Sequence, residues 1–278
     1  MCERGDCSVA VVIDTRSPSG VLGRSLAQSN LEGLNQKLQK LQNSNSFKIT
    51  AASYESKEVK EVNRLQFGHD FFETHCFRGY PIYGSCKQFF DTDAQYILHL
   101  DSDMIFYEET AFSWVQAGIK IMEEHEDILC VLPRGGPPTK DGSLCQGTTP
   151  FEVDKKRGLY LFKNFTSRHY LIHRERFLSL LPLKPLWLSW REPIKSMFFG
   201  NGKMLCWEAM VEYTLSKSDM WRADLMTEKA WSLHPGDRSE DFYQHLPQII
   251  DSVSKNEFPE GQRGHFDLRL SDWKHFLN

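Results

Sequence analysis

The 278-residue chain is long enough for one large α/β domain or two small ones, and it can bury a substantial core. Apolar residues make up 40% and charged residues 25% of the chain, as in ordinary soluble globular proteins. The formal net charge is −4 and no basic stripe is present, which argues against nucleic acid as the main partner.

The cysteine count of seven is odd and the chain contains no CxxC pair, which disfavours a disulfide scaffold and a structural zinc site. The first residues carry charges where a signal peptide needs an apolar run. No stretch reaches the roughly 18–20 apolar residues of a membrane helix. We therefore expect a cytoplasmic protein without a transmembrane segment. Peripheral contact with a membrane is compatible with this expectation.

A strand–helix–strand unit is predicted at the start of the chain. Residues 9–13 form a β-branched run that is typical of a buried strand, and residues 26–41 place Leu at helical spacing. Residues 47–52 predict a second strand. This order favours a parallel sheet with crossover helices.

The middle of the chain continues the alternation of helices and strands. A short helix is predicted over residues 82–90, and a buried strand over 96–100 runs directly into Asp101. An amphipathic helix over 111–124 and a strand over 128–132 follow.

Loop-rich segments separate the remaining elements. Residues 134–150 are rich in Gly, Pro, Thr and Ser and predict a loop, while 159–162 and 170–173 predict strands. Residues 181–202 contain three prolines and two glycines, so this segment is expected to be mostly irregular.

The last part of the chain is predicted to hold helices over 207–216 and 242–253 and a short apolar run over 230–233. The last twenty residues are expected to be a polar tail. No repeat or hinge-like linker is visible, so one domain is expected. Within it, residues 8–106 or so would form a half that binds the nucleotide sugar, and residues 107–278 or so a half that binds the acceptor and includes the C-terminal tail.

The strongest chemical signal is Asp101-Ser102-Asp103, which follows the predicted strand directly. The carboxyl ends of strands in an open α/β sheet face the ligand crevice. Two carboxylates there repel each other and are costly to desolvate unless a cation neutralises them. Oxygen ligands suit Mg²⁺ or Mn²⁺, which leave positions open for phosphate oxygens. A divalent metal site is predicted, and an ordinary strand-to-turn Asp pair is the alternative.

With this motif after a βαβ unit, the chain resembles the GT-A glycosyltransferases, and among them the family 2-like inverting enzymes, over roughly residues 9–235. The resemblance implies an α/β GT-A fold, with a Rossmann-like nucleotide-binding half, a mostly parallel central sheet and an acceptor-binding half. It implies metal-dependent transfer of a sugar, with inversion, from a nucleotide-sugar donor such as a UDP- or GDP-sugar. The acceptor would be a hydroxyl of a glycan, a lipid-linked molecule or another compound.

The resemblance also assigns donor-binding residues. The loop after the first strand would hold the nucleotide, with Thr15 and Arg16 as candidates, and Tyr54 after the second strand would contact the base. Asp101 and Ser102 would contact the donor as well. Lys87 stands where the family usually has Asn, and a cation there would suit a diphosphate, although a solvated helix lysine gives the same pattern.

Two later residues complete the predicted site. Glu208 fits the carboxylate that takes the proton of the acceptor hydroxyl in an inverting transfer, with Glu212 one helical turn on as the fallback. An ordinary first-turn glutamate that stabilises the helix dipole is the alternative. His234 follows 26 residues after Glu208 and fits the late histidine of many GT-A enzymes. The predicted metal ligands are therefore Asp101, Asp103 and His234.

Two other functions share these patterns. Residues 101–105 also resemble the nucleophile motif of haloacid dehalogenase-like Mg-dependent phosphatases, and residues 236–241 fit their late acidic motif. In those enzymes the nucleophile normally ends the first strand, whereas here 100 residues precede Asp101. The third reading is a non-catalytic nucleotide-sugar-binding protein, against which the intact Asp103, Glu208 and His234 argue.

Overall fold

The computed structural model describes residues 10–14, 33, 36, 40, 48–70, 72–145 and 149–277. The chain divides into two compact units, the first made of Met1–Asp93 and Leu181–Met210 and the second of Ala94–Leu180 and Val211–Asn278. Each unit is thus built from two separate stretches of chain. The predicted organisation as a single domain with two continuous halves stays a prediction.

Helices and strands alternate along both units, giving a mixed α/β protein. The helices are α1 (Ser56–Phe67), α2 (Tyr83–Lys87), α3 (Trp114–Glu124), α4 (Arg174–Ser179), α5 (Glu192–Phe199), α6 (Trp207–Leu215), α7 (Glu240–Ser254) and α8 (Leu270–Leu277). The strands are β1 (Ala10–Ile13), β2 (Lys48–Ala51), β3 (Tyr96–Leu100), β4 (Ile105–Glu108), β5 (Ile128–Leu132), β6 (Arg134–Gly135), β7 (Phe151–Asp154), β8 (Leu159–Phe162), β9 (His169–His173), β10 (Trp221–Leu225) and β11 (Ala230–Leu233). Within the described ranges, none of the helices is long and apolar enough to cross a bilayer.

The first unit contains the parallel pair that the sequence predicts. Strands β1 and β2 pair in parallel from Ala10↔Lys48 to Ile13↔Ala51. Gly33, Gln36 and Lys40, which fall in the predicted helix 26–41, are helical. The strand–helix–strand order at the start of the chain is therefore confirmed at these positions.

Two helices of the first unit differ from the sequence-based expectation. Helix α1 was not predicted, because only a narrow stripe that includes Val59, Val62 and Phe67 is buried on an otherwise charged segment. Helix α5 lies in the segment expected to be mostly irregular. A proline in its first turn and a left-handed Gly200 just after its end (φ 64°) are start and stop signals that bracket the helix rather than break it.

The second unit is organised around a six-stranded sheet of order β3-β9-β5-β10-β8-β7. Only the β5–β10 pairing is parallel, and the other four are antiparallel. The expected mostly parallel central sheet is therefore wrong for this sheet. For one of these pairings the reason is local: only residues 155–158 join β7 to β8, which suffices for a hairpin, whereas a parallel pair needs about a dozen or more connecting residues.

The core of this sheet lies under helix α3. Strands β5 and β9 are buried at every position, and α3 packs Trp114 and Met122 into the same apolar cluster. Strand β3, expected to be buried, is an edge strand of the described sheet, and Leu98 and Leu100 are 38% and 45% exposed. The acidic motif therefore follows an edge strand.

A second, three-stranded sheet has the order β4-β11-β6. Trp231 and Leu233 of β11 pack with residues of α7 and with the fully buried Trp273 of α8. The expected polar tail at the end of the chain is thus wrong, because a helix anchored by Trp273 closes this second core.

Candidate functional site

The acidic turn, residues 101–103, connects the two sheets of the second unit. Strand β3 ends at Leu100 and β4 begins at Ile105. The backbone N–H of Asp101 donates to the carbonyl of Arg168 at 2.7 Å, and the N–H of Met104 donates to the carbonyl of Asp101 at 3.2 Å. These two bonds fix the turn at the edge of the six-stranded sheet.

The pairing of β4 with β11 brings His234 to this turn. The two strands are antiparallel with Ile105 opposite Leu233, so the next positions outward are Met104 and His234. Four residues after His234, the guanidinium of Arg238 donates a hydrogen bond to a carboxylate oxygen of Asp103 in the turn. The acidic turn and His234 therefore lie at the same end of this strand pair, within one unit.

His234 is held by a carboxylate that the sequence analysis did not identify. Its Nδ1 lies 2.9 Å from Oδ1 of Asp267, and backbone bonds to Phe266 and Leu268, both 2.9 Å, fix the two segments side by side. An ionised carboxylate only accepts hydrogen bonds, so Nδ1 carries a proton, and in the neutral imidazole this tautomer leaves the lone pair on Nε2. A carboxylate that orients a histidine in this way is the usual support of a metal-binding imidazole.

Two glycines let the Asp267 segment approach. Gly136 has φ +80°, and a Cβ there would lie 2.3 Å from the carbonyl oxygen of His265. The N–H of Gly264 donates to the carbonyl of Pro137 at 2.7 Å, and a Cβ at Gly264 would lie 2.8 Å from Thr139. Close backbone contact at these positions places Asp267 beside His234.

A second histidine lies in the wall of this region. Nε2 of His169 is 3.1 Å from Oγ of Ser232, and its ring stacks with that of Phe266 at 5.8 Å. The ring of Phe266 also stacks with that of His234, with ring centroids 5.9 Å apart. Burial, with a smaller contribution from the Arg222 cation, lowers the pKa of His169 to about 3, so this imidazole is neutral at physiological pH.

A buried ion pair lies in the same sheet. Arg222 donates two hydrogen bonds to the Asp224 carboxylate, each 2.9 Å long. The guanidinium of Arg222 also lies 4.1 Å from the centre of the Phe162 ring. Burial raises the pKa of Asp224, and Arg222 opposes that rise. A third contact, to Asn164 at 3.1 Å, extends the hydrogen bonding of the guanidinium.

The atoms at the turn suit a divalent cation chemically. Oδ1 of Asp103 and Nε2 of His234 are buried and have no hydrogen-bond partner in the described part of the chain. A carboxylate oxygen and a neutral imidazole nitrogen are ligands that Mn²⁺ accepts. Asp101 instead lies with Oδ1 3.2 Å from Nε2 of His99. In the described residues, no three His, Cys, Asp or Glu side chains are grouped closely enough to hold a metal.

The predicted base-binding residue belongs to a polar cluster of the first unit. The Tyr54 hydroxyl donates to one oxygen of Asp14, and the other oxygen lies 2.7 Å from Nε2 of His75. Asp14 follows β1 and Tyr54 follows β2, so both lie at the carboxyl end of the parallel pair. Thr15 and Arg16 lie outside the described residues.

The remaining predicted residues have plain structural surroundings. Nζ of Lys87 is 3.0 Å from Glu58 and 2.5 Å from Asp91, so its charge is already compensated. Glu208 lies in the first turn of α6, next to the buried Trp207. Ser102 is exposed at the tip of the acidic turn. The donor-binding roles of Lys87 and Ser102 and the catalytic role of Glu208 stay predictions.

Sequence reasoning missed several residues of these clusters, among them His75, His169, Arg238 and Asp267. Asp267 is 33 positions from its partner His234, in a segment without a recognisable motif. His169 belongs to a strand that was expected to begin at Tyr170. Their proximity depends on strand pairing, which spacing along the chain does not encode.

No protein-family model, curated protein or solved structure matches this chain.

The depressed pKa of His169 predicts a pH-dependent stability. Between pH 6.5 and about 3 the unfolded chain binds a proton that the folded chain does not, so the free energy of unfolding falls as the pH falls. His169→Gln removes this titration. In urea unfolding, the free energy of unfolding should fall between pH 6 and pH 5 in both proteins. The fall should be larger in wild type than in the variant, by up to about 1.4 kcal/mol per pH unit.

His275→Gln is the matched control, since His275 is exposed. It should keep the wild-type slope. Equal slopes for wild type and His169→Gln would mean that His169 accepts a proton in the folded state.

Proposed function

We propose that the protein is a metal-dependent glycosyltransferase that moves a sugar from a nucleotide-sugar donor to an acceptor hydroxyl, with inversion. The observation that carries the proposal is the acidic turn beside His234, where two buried ligand-type atoms, Oδ1 of Asp103 and Nε2 of His234, have no partner in the described residues. Buried polar atoms without partners are costly, so this arrangement suits a site that a ligand completes. The proposed location is cytoplasmic.

The cation of this proposal is Mn²⁺ or Mg²⁺, bound by Asp103 and His234, with Asp101 contacting the metal or the ribose. Its chemistry would be to neutralise the diphosphate of the leaving nucleotide. Asp267 would hold the imidazole of His234 in the tautomer that offers Nε2. Arg238, which pairs with Asp103, would supply a second positive charge for the phosphates once Asp103 binds the cation.

The nucleotide would be bound by the carboxyl end of the β1–β2 pair, through Tyr54, Thr15 and Arg16. The hydrogen bond from Tyr54 to Asp14 supports this part, because it holds Tyr54 at the carboxyl end of the β1–β2 pair. Lys87 and Ser102 complete the proposed donor contacts, and a UDP- or GDP-sugar is the proposed donor. The acceptor would be a hydroxyl of a glycan or a lipid-linked molecule.

Glu208 is the proposed general base. A carboxylate that accepts the proton of the acceptor hydroxyl makes that oxygen a better nucleophile at the anomeric carbon. The partial burial of Glu208 at the start of α6, compared with the exposed Glu212 one turn on, supports this choice.

The phosphatase alternative is less well supported by the geometry. The strand before Asp101 is an edge strand paired antiparallel to β9, not a central parallel strand. The two acids of the late motif also have local roles. Asp237 accepts a hydrogen bond from the backbone of Ser239 at 2.7 Å, and Asp241 pairs with Lys274 at 2.9 Å.

The proposed site predicts metal-dependent nucleotide binding. UDP or GDP should raise the melting temperature of the protein only when Mn²⁺ or Mg²⁺ is present, since the diphosphate binds through the cation. At a hundred times the dissociation constant the stabilisation should be about 2.7 kcal/mol. Asp103→Asn should abolish it in a thermal-shift assay.

The control for this variant is Asp251→Asn, which removes an exposed acid of α7 and its ion pair with Lys255. It should leave the metal-dependent shift intact. Nucleotide stabilisation of Asp103→Asn equal to that of wild type would remove the acidic turn from the site. A phosphoryl or beryllofluoride adduct on Asp101 would instead establish the phosphatase.

The role of Glu208 predicts a defect in chemistry without a defect in binding. Glu208→Gln keeps the size of the side chain but cannot accept the proton, so turnover should fall about 10²–10⁴-fold. Metal-dependent nucleotide stabilisation should be unchanged. Transfer is measured by release of the nucleoside diphosphate from the donor with each acceptor class.

Glu212→Gln is the matched variant one turn along α6 and should keep most of its activity. A large loss in Glu212→Gln together with near-normal turnover in Glu208→Gln would assign the base to Glu212. If both variants keep full activity, no carboxylate of this helix is the base.

A further inference from the structure

Helix α5 of the first unit is built with its apolar side outward. The residues buried on it are Glu192 and Ser196, one helical turn apart. Met197, Phe198 and Phe199 are 68%, 75% and 76% exposed. A helix at the surface of a globular domain normally shows the opposite distribution.

The close approach of Gly202 fixes this orientation. A Cβ at Gly202 would lie 2.6 Å from the carbonyl oxygen of Glu192, 2.7 Å from Cβ of Ser196 and 2.8 Å from Oε1 of Glu73. The polar face of α5 is therefore pressed against its own unit where no larger residue fits. Rotation of the helix to bury the phenylalanines would break this contact.

The segment that carries α5 forms a loop whose two ends are hydrogen-bonded to each other. The N–H of Leu188 donates to the carbonyl of Lys203 at 3.1 Å, and the N–H of Leu205 donates to the carbonyl of Leu186 at 2.8 Å. These bonds join the two ends of this loop. Its outer surface, named here the apolar tip, consists of Leu188, Trp190, Ile194, Met197, Phe198 and Phe199.

The charge of the segment that carries the apolar tip is the reverse of the charge of the whole protein. Residues 181–203 contain four basic residues and one acid, a formal charge of +3 in a chain of −4. The one acid, Glu192, is buried and its carboxylate lies 2.7 Å from Nζ of Lys195. Arg191 lies with its guanidinium 5.0 Å from the centre of the exposed Trp190 ring.

We propose that the apolar tip docks onto the surface of an anionic lipid membrane, with Phe198, Phe199 and Trp190 entering the interface and the basic residues facing the headgroups. Exposed Trp and Phe beside Lys and Arg is the composition of segments that lie in the membrane interface. Basic side chains near such a surface each add attraction to anionic lipids.

Charge decides against a second copy of the chain as the occupant. A two-fold symmetric dimer would place the same surface patch of each subunit against the other. The basic residues around one tip would then face those around the other. The docking does not depend on the proposed transfer activity, so it can fail or succeed separately.

The test is flotation of the whole protein with vesicles, without nucleotide or metal. The protein should bind vesicles that contain phosphatidylserine, and it should bind phosphatidylcholine vesicles more weakly. Phe198→Ser combined with Phe199→Ser should lower vesicle binding at least about tenfold, because two apolar side chains no longer enter the interface. Arg191→Gln combined with Lys203→Gln should reduce the preference for anionic vesicles and its sensitivity to salt.

Tyr243→Ser combined with Ile250→Ser is the matched control, because it removes two exposed apolar side chains, 53% and 49% exposed, from α7. It should bind vesicles like wild type. Absence of vesicle binding by the wild-type protein would overturn the proposal, and so would binding that survives the two phenylalanine substitutions. A solution dimer that the phenylalanine substitutions dissociate would make the tip a contact between copies.

Discussion

The antiparallel register between β4 and β11 is the constraint on which the candidate site depends. Ile105 stands opposite Leu233, and both side chains are buried, which pins the register. A slip by one residue would turn the side chains of β11 to the other face and carry His234 away from the turn. With the register fixed, the acidic turn before β4 and His234 after β11 lie at the same end of this strand pair, without any motif that spans them.

The polar groups behind this turn give it a rigid support. His169 is neutral because burial opposes its protonation, so it adds no positive charge behind a site proposed to bind a cation. Arg222 and Asp224 neutralise each other within the sheet, and Arg222 also reaches Asn164. Removal of one partner from such a pair leaves an uncompensated buried charge, which typically costs about 3–5 kcal/mol. The contact from Arg222 to Asn164 also ties the segment between β8 and β9 to this pair.

Part of this architecture could be predicted from sequence, and the reason differs from element to element. Strands β5 and β8 have the expected bounds because each is a continuous apolar run, and the acidic turn was found because it follows such a run. The parallel β1–β2 pair was predicted, but the strand directions in the six-stranded sheet were not, because periodicity does not say which strands pair. Helix α5 was missed because the prolines and glycines of its segment were interpreted as helix breakers, whereas they bracket the helix. Asp267 was missed because only the fold brings it to His234.

The central claim is that Asp103 and His234 bind a divalent cation together with a nucleoside diphosphate. The most direct measurement is a crystal structure of the protein with Mn²⁺ and UDP or GDP, with the metal located by its anomalous scattering. The account predicts a metal within about 2.0–2.5 Å of a carboxylate oxygen of Asp103 and of Nε2 of His234, with Arg238 released from Asp103. A nucleotide bound elsewhere, with the contact between Asp103 and Arg238 intact, would contradict it.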